Sequence, residues 1–421
     1  MQNAPVFAEP DLPSVTTGLI LGAGGNSRPP IAPRFTQAPG QRPAEAAAAL
    51  LNNKRYRARE LLVEVKAETS NAVKDRFANE YGVEVREVGS LELAGVRIWH
   101  LTLPPGQNLR RLLVGLLQDS RVLAAQPNYI YTPTQGSREN GGVKITDEAA
   151  VRPAPDLPTG AGVKVAIIDS CVERDHAELL GSATSSFDAT QSGPGTCQPE
   201  NHGTAVASLI AGHSKVQGTA AGASLLLAKA FAFTSEEKEV AATSREIALA
   251  LNWAASSGAQ LMNLSFAGPA DPLIERMVAA AYTKGIVLVA AAGNAGPASQ
   301  PLYPAAYPEV IAVTATDGKR EIYSAANRGR HICVSARGVD VLVAHIHNTY
   351  GTDSGTSFAA AKVSGVVASL LEKRPKAGPE GVRAALQTTA TEVPHADRTG
   401  AGYGLVNVAA AVAFVEASVP Q

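Results

Sequence analysis

The residues of this chain best suited to chemistry are a serine, a histidine, an aspartate and an asparagine, each set among small residues. Ser357 lies in Gly351-Thr352-Asp353-Ser354-Gly355-Thr356-Ser357-Phe358, just before an alanine-rich, helix-forming stretch. Glycine lets the backbone turn sharply there, and the mouth of a helix favours negative charge, which suits a hydroxyl that must become alkoxide-like. Such a hydroxyl is a poor nucleophile until a base takes its proton, and an imidazole can take and return one near neutrality. His202, in Asn201-His202-Gly203-Thr204-Ala205, is the candidate base. Asp169 ends the apolar run Val163-Lys164-Val165-Ala166-Ile167-Ile168 and could hold the imidazole's tautomer. Asn294, in Ala292-Gly293-Asn294-Ala295-Gly296, carries amide N–H groups that could face a developing oxyanion. Taken singly, each has an ordinary structural reading: a turn former at Asp169, helix caps at His202 and Ser357, a left-handed turn at Asn294.

Taken together, and in the order Asp, His, Asn, Ser, these motifs resemble those of the subtilisin-like serine proteases. The resemblance covers roughly residues 145–415. It implies a serine endopeptidase that transfers an acyl group to Ser357 and then hydrolyses it. It also implies Asp169 and His202 as partners of the serine, and Asn294 with the Ser357 backbone N–H as oxyanion donors. Substrate is expected to lie as an extended strand along Leu264, Ser265, Phe266, Ala267 and Gly268. Ala292, Gly293 and Leu302 are expected around the pocket for the residue before the scissile bond. Relatives usually carry glycine where Ala267 stands and often a small residue where Leu302 stands, so the pocket is expected to favour small or medium apolar side chains. The departures from the family pattern are Cys171 for a usual glycine, Ala205 for a second histidine, and Ala361-Lys362 for Pro-His. None of them removes a reacting group.

No cofactor is expected, and calcium is an open option that is not indicated at the usual loop. In many relatives a longer loop bearing Asn or Asp follows the histidine helix and holds calcium. Here Gly212 to Gly218 is short and carries Lys215. His345 and His347 alternate along an expected strand and so share a face, but two histidines are too few for a metal site. His100, beside Trp99 on another expected strand, is read as structural. Glu236-Glu237-Lys238-Glu239 is read as a solvated face or loop.

The 421 residues are 45% hydrophobic and 18% charged, an ordinary globular balance, with a net charge of -1. Neither nucleic acid nor an anionic membrane is favoured as a partner by that charge. No apolar run reaches the ~18 residues of a membrane span. An export signal is not visible at Met1-Gln2-Asn3-Ala4-Pro5, although the resemblance implies a secreted or periplasmic protein. Three cysteines exclude a disulfide-rich scaffold. A Cys171–Cys197 bridge is open, with unpaired buried cysteine the default.

Four segments follow from the hydrophobic patterning. Residues 1–57 are rich in Pro, Ala and Gly and read as a flexible tail, with a short helix over Ala44 to Asn52. Residues 58–133 alternate as β-α-β-β-α-β, a ferredoxin-like α+β arrangement. Preceding such a protease domain, this segment resembles the family's propeptide, an intramolecular inhibitor, with its blocking strand near Pro127 to Tyr131. Residues 134–160 read as a linker with the processing site. Residues 161–421 alternate apolar runs with helical patterns. They read as an α/β domain, three layers around a mostly parallel sheet, with functional groups at the carboxyl ends of strands. Two other readings compete. One is a subtilisin fold silenced into a binding or scaffold module. The other is an ester hydrolase, for which the required Gly-x-Ser-x-Gly elbow is missing.

Overall fold

The computed structural model describes residues 42–52, 54–134, 157–190 and 200–417. The N-terminal module runs α1 (Pro43–Leu51), β1 (Tyr56–Lys66), α2 (Asn71–Tyr81), β2 (Glu84–Leu91), β3 (Val96–Thr102), α3 (Leu109–Leu116) and β4 (Ala124–Pro133). Its strands are antiparallel in the spatial order β2-β3-β1-β4. Helix α2 stops at Gly82, whose left-handed φ of 64° closes the last turn, and α3 starts where the Asn108 side chain accepts the Arg111 N–H.

Strand β1 is buried along five consecutive residues, Leu61 to Val65, because both faces of this small sheet are covered. Leu61, Val63 and Val65 pack with Phe77, Trp99 and Leu113 in the module's own core. Leu62, Leu91 and Ile98 point the other way, into the core that contains α5 and α6 of the C-terminal module. The side-chain period of two along a strand makes this division possible.

The C-terminal module begins with β5 (Lys164–Asp169), β6 (Ala183–Asp188), α4 (Asn201–Ala211), β7 (Ser224–Lys229), β8 (Ala232–Thr234) and β9 (Glu239–Thr243). It continues with α5 (Ser244–Ser256), β10 (Leu261–Leu264), β11 (Phe266–Ala267), α6 (Pro272–Thr283), β12 (Val287–Ala291), β13 (Ile311–Thr316) and β14 (Ile332–Arg337). It closes with β15 (Val341–His345), β16 (Thr349–Asp353), α7 (Thr356–Lys373), α8 (Gly378–Thr389), α9 (Arg398–Ala401) and α10 (Val408–Ala417). Seven parallel strands lie in the order β14-β13-β12-β10-β5-β7-β6. Val165 and Ile167 of β5 face α4 and α7, while Ala166 and Ile168 face α5 and α6. Cover on both faces explains the continuous apolar runs. The α/β class, with a parallel sheet between helical layers, is as expected.

Several details differ from the sequence reading. The acidic run Glu236 to Glu239, read as a solvated face or loop, forms the turn of the β8–β9 hairpin, and the added detail is its pairing. Its carboxylates pair with the other module: Glu236 and Glu237 with Arg57, and Glu239 with Arg55. His345 ends β15, but His347 and Asn348 take left-handed φ values of 62° and 55° in the turn, so the two histidines share no strand face. His345 Nε2 instead meets Asp353 Oδ2 at 2.9 Å across the hairpin. Cys171 is disulfide-bonded, which corrects the unpaired reading for that residue. Cys333 is a free, buried thiol, and Cys197 lies outside the described residues.

Strand β4 joins the two modules. Beyond its pairing with β1 it lies between two strands of the C-terminal module. Ile130 and Tyr131 pair with Thr243 and Ala242 of β9, and Thr132 and Pro133 with Ala267 and Phe266 of β11. The expected blocking strand therefore runs on past Tyr131 to Thr134, the first residue of the expected linker. The rest of that linker is described only from residue 157.

Candidate active site

Asp169 stands at the carboxyl end of β5, in the middle of the parallel sheet, and His202 is in the first turn of α4. His202 Nδ1 and Asp169 Oδ1 are 2.7 Å apart, and both side chains are buried. The same Asp169 oxygen accepts the Ser170 N–H at 2.7 Å. Helix α4 approaches β5 closely because Gly203 has no side chain: a Cβ there would stand 2.5 Å from the Ser170 carbonyl oxygen. Ser170 Oγ in turn accepts the Gly203 N–H at 3.1 Å, tying helix to strand. Nearby, burial first and the Asp169 charge second raise the carboxyl pKa of Glu200 above its ordinary value.

Ser357 is the second residue of α7, after Gly355, and is fully buried. Its hydroxyl donates to the carbonyl oxygen of Thr134, at the end of β4. The Asn294 Nδ2 amide donates to that same oxygen at 2.8 Å. Asn294 is held in turn, since its Oδ1 accepts the Thr356 N–H at 3.1 Å and the Thr356 hydroxyl at 2.9 Å. The Thr356 hydroxyl also accepts the Gly293 N–H at 3.1 Å. Among the described residues His202 Nε2 is buried without a hydrogen-bond partner, while the Ser357 hydroxyl is engaged by the Thr134 carbonyl.

The expected substrate segment receives β4. Ser265 O accepts the Thr134 N–H at 3.1 Å and the Thr134 hydroxyl at 3.2 Å. Phe266 and Ala267 form β11 and pair with β4. Gly268 exchanges two backbone hydrogen bonds with Tyr303. Leu264 is buried at the end of β10, Leu302 lies against Gly293, and Ala292 donates its N–H to Val313 of β13, so Ala292 supports the site from behind.

A carboxylate-held imidazole whose ring lies 5.9 Å from that of Phe358, the neighbour in sequence of a helix-mouth serine, together with an amide aimed at a peptide carbonyl, is an arrangement suited to acyl transfer. Comparison with known proteins agrees. Residues 160–404 match the model of the Subtilase family, Peptidase_S8. Over 259 residues the chain is 35% identical to subtilisin DY of Bacillus licheniformis, covering 60% of this chain and 91% of that one.

The chain belongs to the subtilase family.

This subtilase is also 32% identical to thermitase of Thermoactinomyces vulgaris over 271 residues, 62% of this chain and 93% of that one. Its fold is similar to that of fervidolysin from Fervidobacterium pennivorans, described as a keratinolytic enzyme related to subtilisin. The TM-score is 0.72 at 23% identity, over 86% of this chain and 62% of that one. The protein is a subtilisin-like serine endopeptidase, and its substrates are proteins or peptides.

Three residues near the site escaped the sequence reading. Thr134 sits in an unremarkable polar stretch with no motif around it. Thr356 was in view within the Gly-Thr-Ser run, yet nothing local marked it as the support of Asn294. Asp271 could be read only as the cap of α6, from Asp-Pro-Leu.

Proposed function

We propose that this subtilase first acts on itself, at the bond between Thr134 and Gln135, and that the segment ending at Thr134 then remains as a propeptide-like inhibitor. Ser357 Oγ attacks the Thr134 carbonyl carbon, and its proton passes to His202 Nε2. Asp169, bound at Nδ1, holds the tautomer and stabilises the imidazolium. Asn294 and the Ser357 N–H stabilise the oxyanion. Collapse breaks the peptide bond, and the imidazolium protonates the departing Gln135 amine. A water molecule then hydrolyses the acyl-enzyme, with His202 again taking the proton. The liberated carboxyl end of β4 stays paired between β9 and β11, which blocks the cleft.

The observation that carries this reading is the Thr134 carbonyl oxygen, which accepts hydrogen bonds from both Ser357 Oγ and Asn294 Nδ2. Threonine in that position also fits the proposed preference for small or medium side chains before the cut. The preference extends in the same way to substrates in trans. Work in an oxidising compartment, outside the cytoplasm, is supported by the disulfide at Cys171. Among the described residues no helix is long and apolar enough to cross a membrane.

The loop after α4 is proposed to work without calcium. It turns the N–H groups of Ser214, Lys215 and Val216 inward onto the Glu178 carboxylate, at 2.8, 2.5 and 2.8 Å. A calcium cage needs oxygens aimed inward instead.

N-terminal sequencing of the purified protein tests the reading. The unaltered chain should give a new terminus at Gln135, at a rate independent of protein concentration, and the Ser357→Ala chain should stay intact. A terminus elsewhere, or cleavage of Ser357→Ala, would overturn it.

A further inference from the structure

Tyr131 is the fourth residue before the proposed cut, and its side chain is completely buried in the C-terminal module. The ring stands edge-on to Phe266, with centroids 5.8 Å apart and planes at 89°. It passes over Gly268, where a Cβ would lie 2.3 Å from a ring carbon, so this glycine makes the room the ring occupies. At the bottom of the pocket the phenol donates to Asp271 Oδ2 at 3.1 Å and to Pro269 O at 3.3 Å.

Asp271 is fully buried, and its two oxygens are divided between tasks. Oδ1 caps α6, accepting the N–H groups of Leu273 and Ile274 at 2.9 and 3.1 Å, and also accepts Gln126 Nε2 at 2.8 Å. Oδ2 accepts the Ser244 hydroxyl at 2.5 Å and, among the described residues, its other hydrogen-bond donor is the phenol. Tyr307 fixes the backbone of Asp271: its hydroxyl donates to Asp271 O at 2.9 Å and accepts Asp271 N–H at 3.0 Å. Of these partners Gln126 lies on β4 itself, whereas Ser244, Leu273, Ile274 and Tyr307 belong to the C-terminal module and hold the carboxylate before any substrate arrives.

We infer that Asp271 is a specificity-determining residue, which makes this protease select a tyrosine, an aromatic ring with a hydrogen-bond donor at its far end, four residues before the scissile bond. The inference rests on the proposed reading of β4 as a substrate-like strand ending at Thr134. Its physical basis is the cost of an unmet polar group. An apolar pocket alone discriminates weakly between Phe and Tyr, whereas a pocket built to accept from a hydroxyl penalises the substrate that lacks one. A phenylalanine ring would seal the pocket over Oδ2, exclude water and leave the carboxylate one donor short. Burial raises the pKa of the Asp271 carboxyl, which marks how little solvent reaches it.

The test uses processed enzyme prepared from the full chain and internally quenched peptides built on Ile-Tyr-Thr-Pro-Thr-Gln. Phe, 4-fluorophenylalanine or 4-aminophenylalanine replaces the tyrosine. Tyr and 4-aminophenylalanine peptides should be cut with kcat/KM about ten-fold or more above the Phe and 4-fluorophenylalanine peptides. In Asp271→Ser, which keeps a helix cap but is too short to reach the phenol, the Tyr-to-Phe ratio should fall to about one. Equal rates for Tyr and Phe on the unaltered enzyme, or an unchanged ratio in Asp271→Ser, would overturn the inference. If Asp271→Ser fails to fold, the four peptides on the unaltered enzyme decide alone. A failure to cut any of these peptides between Thr and Gln, by an enzyme that digests denatured protein, would instead remove the proposed processing site, and this inference with it.

Discussion

Asn294 is held from one side and offers its amide on the other. With Oδ1 committed to Thr356, only Nδ2 is free to turn toward a carbonyl, so the donor is oriented before charge develops. From the proposed oxyanion role, Asn294→Ala should slow self-processing by about 10²–10³, the loss typical of one such donor. The precursor should still fold, and gel densitometry of its disappearance over time would measure the change.

Lys362, on the helix that Ser357 opens, makes a second residue-scale prediction. Burial, helped by the Arg337 charge, pulls its ammonium pKa from the ordinary 10.5 down to about 8. Between those values the unfolded chain binds a proton that the folded chain does not, so stability falls as pH drops from 10.5 to 8 and stays penalised below. Lys362→Met should therefore stabilise the protein at pH 7 by roughly 3 kcal/mol. The gain should shrink as pH climbs through the folded pKa, as followed by thermal melts in the Ser357→Ala background. A gain that grows with pH would contradict this account.

At the scale of elements, the main event is a strand with two lives. The first half of β4 belongs to the N-terminal sheet through β1, and its last residues belong to the cleft through β9 and β11. Antiparallel pairing on both sides orders the segment without consulting most of its side chains. The β8–β9 hairpin adds a charged clasp, since Arg57 is mostly buried between Glu236 and Glu237. Exposed ion pairs contribute little, but a largely buried arginine shared by two carboxylates is a stronger case. The double change Glu236→Gln and Glu237→Gln should therefore hasten release of the cut N-terminal module. The lag before activity appears should shorten, and its dependence on salt should weaken.

At the scale of the whole molecule, the two modules share a core rather than merely touching. Leu62 and Ile98 of one and Ile247, Leu251 and Met277 of the other lie in a single apolar cluster. Within that contact Glu64 forms a buried ion pair with Arg276. Removing one partner of such a pair strands the other's charge out of water, which costs about 3 kcal/mol or more. Glu64→Gln in the Ser357→Ala chain should lower its denaturant midpoint accordingly. The same change should leave the stability of processed enzyme, freed of the segment ending at Thr134, unaltered.

Much of this organisation was legible in the amino-acid order. Asp169, His202, Asn294 and Ser357 each sit in a short run whose small residues announce a tight turn or a helix mouth. The parallel strands declare themselves as unbroken apolar runs. The β-α-β-β-α-β pattern of the first module follows from period-two and period-3.6 spacing alone. Other features left no such trace. Strand β6, with Thr184, Ser185 and Ser186 in its middle, is a polar edge strand that no hydrophobic period reveals. His345 and His347 alternated as if on one strand until two left-handed residues turned the chain between β15 and β16.

What the sequence by itself determined was the reaction and the materials of both modules, because those depend on residue types and on periodicities within a few turns of chain. What only the tertiary structure decided was the meeting of distant groups: Thr134 with Ser357 and Asn294, Tyr131 with Asp271, Arg57 with the acidic hairpin. Each of these depends on the register in which β4 settles between β9 and β11. A slip of one residue would turn Tyr131 to the opposite face and move a different carbonyl to the serine. That register is set by the sum of many weak contacts across both modules, and no local stretch of sequence records it.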